Sequence, residues 1–130
     1  MVMICGVALT AGCSMLAAPR CAQPLQLSVN EMLYFGTATP DGVVSAKQWA
    51  DFLNEAVTPR FPQGFSSWQA SGRWQSADGQ LIRERSYVVA IDHRDELRSD
   101  AAVREIIALY KKQFQQEAVL RVRSLACTMF

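Results

Sequence analysis

Two stretches of helical spacing, each flanked by segments that alternate apolar and polar residues, restrict this chain to few folds. The first opens on Ser45 and Gln48, an S-x-x-Q capping box in which each side chain can satisfy a backbone N–H left unpaired by the helix. Trp49, Phe52, Leu53, Ala56 and Val57 follow at i, i+3, i+4, i+7 and i+8, one apolar stripe. Thr58 stands before Pro59 and is disfavoured in α geometry, so the helix is expected to stop there. The second pattern runs from about Asp95 to Gln116. Val103, Ile106, Ile107, Tyr110 and Phe114 keep helical spacing, and Lys111, Lys112, Gln113 and Gln115 face away.

Four strand patterns surround these helices. Leu27 to Thr37 alternates through Leu27, Val29, Leu33 and Phe35 and ends at the turn residues Thr39-Pro40-Asp41-Gly42. Phe65 to Gln75 and Leu81 to Asp92 flank Asp78-Gly79 and read as a hairpin with a loop of about five residues. Trp68, Ala70, Gly72 and Trp74 share one side of the first of these strands. Val88-Val89-Ala90-Ile91 is apolar at consecutive positions, so both faces of the sheet are expected to be at least partly covered there. Ala118 to Thr128 is the last strand, with Leu120 and Val122 on one side and Arg121 and Arg123 on the other. The order β-α-β-β-α-β with two right-handed crossovers predicts an α+β, ferredoxin-like fold. Its four-stranded antiparallel sheet would run 4-1-3-2 and carry both helices on one face.

Upstream of this domain, no residue from Met1 to Pro19 is charged, and small residues crowd Leu9-Thr10-Ala11-Gly12-Cys13. Such a stretch reads as an export signal that a peptidase removes. Cleavage before Cys13 would leave that cysteine as a lipidated first residue, although Thr10 stands where a lipobox prefers Leu. Cleavage near Ala18, or around Cys21-Ala22, is the alternative, and an uncleaved anchor is the third reading. Residues 1–20 are thus read as leader and tether, and 21–130 as a single domain.

The remaining cysteines agree with export. Cleavage before Cys13 discards Cys5 and uses Cys13, which leaves Cys21 and Cys127 to pair in an oxidising compartment. The strand order points to the same pair, since the first and last strands are neighbours and run antiparallel. A net charge of +1 opposes a general electrostatic grip on nucleic acid.

No nucleotide-binding glycine loop and no nucleophile elbow is present. A single histidine, His93, cannot anchor a zinc site of ordinary composition, so neither metal nor cofactor is expected. His93 is read as an exposed or helix-capping residue in the turn before the second helix. The charged run Arg83-Glu84-Arg85, with Arg60 and with Arg121 and Arg123 placed on the helix-free face, makes a candidate anion- or carboxylate-binding cluster. The plainer reading is a solvated, ion-paired surface. Trp68 and Trp74 are read as covering the open sheet face or meeting a second subunit, which makes a homodimer a candidate assembly.

The segments Leu33-Tyr34-Phe35-Gly36, Val57-Thr58-Pro59-Arg60-Phe61-Pro62-Gln63-Gly64-Phe65, Gly72-Arg73-Trp74, Ile82-Arg83-Glu84, Glu117-Ala118-Val119-Leu120-Arg121 and Ala126-Cys127-Thr128-Met129-Phe130 carry a resemblance. Together they resemble a family of small bacterial exported proteins known only as a domain of unknown function. The resemblance implies a periplasmic or lipid-anchored protein with one cysteine before the first strand and one near the C-terminus, and it implies no activity. The expectation is therefore an exported envelope protein, a binding or structural module held to the membrane through lipid at Cys13. The alternative is a small enzyme with a site at the open sheet face or a dimer interface, with Tyr34, Arg60, Glu84 and Arg121 as its polar candidates.

Overall fold

In a computed structural model of the protein, residues 19–75 and 77–129 are described. The long strands are β1 (Gln26–Gly36), β4 (Ser66–Gln75), β5 (Leu81–His93) and β6 (Leu120–Thr128). They form one antiparallel sheet in the order β4-β5-β1-β6, the split arrangement expected from the sequence. A short hairpin, β2 (Ala38–Thr39) and β3 (Gly42–Val43), lies between β1 and the first helix. It uses the Pro40-Asp41 turn that the sequence marked, with Gly42 at φ 136°, a value that favours glycine.

The helix α1 (Ala46–Phe52) starts on the expected capping box, Ser45 and Gln48 bonding reciprocally. It does not end there. A π-type segment, Leu53–Val57, continues it, and the N–H and hydroxyl of Thr58 both donate to the Leu53 carbonyl. The chain leaves the helix at Pro59, which has no N–H to extend it. The second helix, α2 (Leu97–Phe114), closes on Gln115 in the left-handed conformation.

Strand parity decides what lies inside. Leu33 and Phe35 of β1 and Tyr87, Val89 and Ile91 of β5 point to the helices, where they meet Trp49, Phe52, Val57, Val103, Ile106, Tyr110 and Phe114. Aromatic rings dominate this core. Trp49 stacks on Tyr87 with centroids 4.5 Å apart, and Phe35 meets Tyr110 edge-on at 4.7 Å. Burial pushes the Tyr110 phenol well above its ordinary range, and its hydroxyl donates to the Gly36 carbonyl at 2.7 Å, which secures the end of β1 to α2.

The even-numbered positions face away from the helices. Register sets Trp68, Val88, Tyr34 and Leu120 in one row across the sheet, and Ser66, Ala90, Met32 and Val122 in the next. Val88 is fully buried within this face, whereas Leu120 is 60% and Val122 45% exposed. At the other side of the fold, Cys21 and Cys127 are joined as a disulfide, with Leu27 and Cys127 opposite each other in the β1–β6 ladder.

Candidate functional site

The strongest concentration of charge centres on Glu31. Its position in β1 has the parity of Val29, Leu33 and Phe35, so its carboxylate is driven inside and is 0% exposed. A buried carboxylate is tolerated only when paired. Arg121, on β6, meets it with two bonds, Nε to Oε2 at 2.8 Å and Nη2 to Oε1 at 2.5 Å. Arg121 also reaches Asp100 Oδ1 of α2 at 2.7 Å, and Arg104 holds the other Asp100 oxygen at 3.0 Å. Arg123 lies 3.5 Å from Glu31 through Nε and donates to Asp95 through Nη2.

The network corrects the sequence expectation for Arg121 and Arg123. Both lie on the helix-bearing side, because the partners that neutralise them sit on β1 and at α2. The residues that β6 presents to the open face are Leu120 and Val122. The Arg121 hydrogen bond holds the Asp100 carboxyl below its ordinary value, and the Glu31 bond raises the Arg121 guanidinium further. Three carboxylates (Glu31, Asp95, Asp100) face three guanidinia (Arg104, Arg121, Arg123), so the cluster is closed and balanced. It is a strut between sheet and helix, with no charge left over for a ligand.

His93 also departs from expectation. It ends β5 on the parity of Val89 and Ile91, and its side chain is 6% exposed, packed on Phe61 with ring centroids 5.7 Å apart. Nδ1–H donates to the Arg94 carbonyl at 2.6 Å. Nε2 is buried without a hydrogen bond, 3.5 Å from Glu31 Oε1. Burial follows from strand parity, which a turn assignment conceals.

The four polar candidates are not brought together. Tyr34 lies on the open face between Val88 and Leu120. Arg60 donates from Nε to Glu105 of α2 at 2.9 Å and from Nη1 to the Ala56 carbonyl at 2.8 Å. It thereby lowers the Glu105 carboxyl and ties the end of the first helical segment to α2. Arg121 is bound within the Glu31 network. Of the four, Glu84 alone lines a cleft.

That space lies at the far end of the sheet. The last β1–β5 pair is Gly36 with Ser86, so residues 81–85 of β5 and their β4 partners project as a two-stranded arm. The small hairpin folds beside it, Thr37 Oγ1 donating to the Arg85 carbonyl at 2.7 Å and the Ala38 N–H to Glu84 Oε1 at 3.4 Å. A Cβ at position 36 would come within 2.8 Å of Glu84 Oε1, so glycine permits this approach. Between arm and hairpin runs a cleft of about 270 Å³ bordered by Thr37, Val43, Ser71, Glu84 and Arg85. A second hollow of similar size continues it over Gln69 and Tyr87. Sequence reasoning named Arg83-Glu84-Arg85 but missed Thr37 and Ser71, which register alone brings alongside.

Among the described residues, no group of three or more His, Cys, Asp or Glu side chains could hold a metal ion, and no helix is long and apolar enough to cross a membrane. Cys13 lies outside the described residues.

Comparison with curated protein sequences finds no match. Among solved structures, this chain is similar to a phage SAM lyase. In its complex with S-methyl-5'-thioadenosine, the likeness has a TM-score of 0.56 at 16% identity and covers 79% of this chain and 90% of that one. In its apo state the TM-score is 0.54 at 16% identity, over 88% and 97% of the two chains. At that identity the likeness concerns the fold. The sequence pattern of one family matches residues 30–130, from the middle of β1 to the C-terminus, and the chain therefore belongs to the family described as protein of unknown function, DUF3574.

Proposed function

We propose that this protein is an exported, self-associating binding module of a cell envelope, with the open sheet face of one copy sheltered by that of another. The observation that carries this reading is the pair of rows on that face. Seven of their eight positions are apolar or aromatic: Trp68, Val88, Tyr34, Leu120, Ala90, Met32 and Val122, with Ser66 completing them. Trp68, Leu120 and Val122 remain substantially exposed. All four strands overlap at three positions, Met32 to Tyr34 of β1, and β1, β5 and β6 carry the face further along. An antiparallel face stacked on its own copy by a two-fold axis is self-complementary. Export is supported by the uncharged start and by the Cys21–Cys127 bond, which suits an oxidising compartment.

Isotope-filtered NMR on mixed labelled and unlabelled copies tests the association. Contacts between copies at the Val122 and Leu120 methyls support it, and their absence at millimolar protein refutes it. Mass spectrometry of the mature chain tests the anchor. An acylated N-terminal Cys13 supports it, and an unmodified N-terminus beyond Ala18 rules it out.

A second reading, a small enzyme acting on an adenosyl sulfonium, has one observation in its favour, the fold shared with a SAM lyase. The cleft beside Glu84 is where such a substrate would be sought. Incubation with SAM, followed by chromatography for S-methyl-5'-thioadenosine, tests this reading, and no turnover above the buffer blank excludes it.

A further inference from the structure

The projecting arm sets like charges against one another. Arg73 of β4 stands directly opposite Arg83 of β5, and Arg85, opposite Ser71, lies one row away on the same face. Like charges directly opposite on antiparallel strands destabilise the pair. Every other arginine cluster in the described structure is neutralised: Arg121, Arg123 and Arg104 by Glu31, Asp95 and Asp100, and Arg60 by Glu105. Among the described residues, the guanidinia of Arg73, Arg83 and Arg85 form no ion pair or hydrogen bond. Glu84, between two of them in sequence, has the opposite parity, and its Oε1 accepts the Ala38 N–H. Counting Glu84 and Asp78 of the connecting turn against them still leaves a surplus of positive charge on the arm. The arm is also the part of the sheet with fewest neighbours, since β1 stops at its base.

We propose that the arm and the small hairpin together form a binding site for a phosphate group, carried by a small solute or by a lipid headgroup. Cross-strand partners sit about 5 Å apart and same-face neighbours along a strand about 7 Å. The three side chains thus leave one face of the arm from neighbouring positions, close enough for a single anion to lie within reach of all three. One bidentate arginine engages both oxygens of a planar carboxylate, as Arg121 does with Glu31. A tetrahedral anion has oxygens for all three. The hydroxyl of Ser71 borders the same cleft and can supply a further donor, whereas that of Thr37 is committed to the Arg85 carbonyl. The cleft is open on one side and of a size for the anionic group and its attachment, with Val43 and Tyr87 against the remainder of the ligand. This site lies on the opposite face from the proposed dimer contact, and its test does not depend on that reading.

The test follows arginine Nε–Hε resonances of the mature protein by NMR at constant ionic strength. Inorganic phosphate is added in one arm, and glycerophosphoglycerol, the deacylated headgroup of phosphatidylglycerol, in another. The proposal expects saturable shifts at Arg73, Arg83 and Arg85 in at least one arm, and the tighter ligand identifies the source. Arg83→Gln and Arg85→Gln should each weaken that binding at least about tenfold. Arg94→Gln, an exposed charge removed elsewhere, should leave it unchanged. Arg83→Gln should also raise the thermal midpoint of the ligand-free protein by relieving repulsion across the arm. Overturning results are linear, unsaturable shifts with both ligands, equal weakening by Arg94→Gln, or acetate producing the same shifts at the same concentration.

Discussion

Replacing Arg121 by leucine removes the one guanidinium that grips Glu31 through two bonds. In the variant, the fully buried carboxylate keeps only Arg123 Nε at 3.5 Å among its arginine partners. Breaking a buried ion pair from one side costs about 3–5 kcal/mol, because the remaining charge has lost its solvent and its partner. The Arg121 side chain is 21% exposed, so water can enter where it leaves, and Arg123 stays close. Both place the expected loss near the lower end, about 3 kcal/mol. Glu31→Leu should cost less, about 1 kcal/mol, since Arg121 keeps Asp100 at 2.7 Å and part of its solvent. The double variant Glu31→Leu/Arg121→Leu leaves no unpaired buried charge and should fall within about 1 kcal/mol of the parent. Urea unfolding with an unchanged m-value measures all three. A loss below about 1 kcal/mol for Arg121→Leu would refute the strut, and so would a double variant whose loss equals the sum of the singles.

The Cys21–Cys127 bond spans 106 residues, and its removal by Cys21→Ser/Cys127→Ser should cost about 4–5 kcal/mol on the chain-entropy model, read from the same urea curves. Trp49→Ala empties the centre of the aromatic core against Phe35, Phe52 and Tyr87 and should cost about 3–5 kcal/mol by calorimetry or urea. Asp100 and Glu105 have carboxyls held below their ordinary values by Arg121 and Arg60. Their contribution is therefore fully present above the unfolded carboxylate range and is lost as pH falls through the lowered folded values. Melting temperature should decline on the acid side from about pH 4, and Arg60→Gln should flatten that decline. An unchanged slope would contradict the assignment.

The sequence made the strand and helix order legible because each signal is local. The capping box at Ser45 and Gln48, the i, i+3, i+4 stripes and the alternation in β1 are set by neighbours in the chain. The sheet order then followed from handedness, and with it the meeting of Cys21 and Cys127. What stayed hidden depends on partners distant in sequence. Alternation separates Arg121 and Arg123 from Leu120 and Val122 but does not say which pair faces inward. The answer lies in Glu31, a carboxylate on the buried parity of β1 that demands a guanidinium from β6. His93 reads as a turn residue, although Val89, Ile91 and His93 share one parity and continue β5 into the interior. The π-type segment before Pro59 and the hairpin of β2 and β3 are too short for any periodicity to mark. For the candidate site, Arg83-Glu84-Arg85 was visible, but its pairing with Arg73 and its place beyond the end of β1 are properties of register.

Sedimentation equilibrium of the mature protein across a concentration series, run beside Leu120→Glu/Val122→Glu, shows whether a second copy covers the open sheet face. A reversible species of twice the chain mass is expected for the parent and a single-chain mass for the variant. A parent that stays at single-chain mass throughout, or a variant that associates as the parent does, would contradict the claim that the open sheet face is an interface between copies.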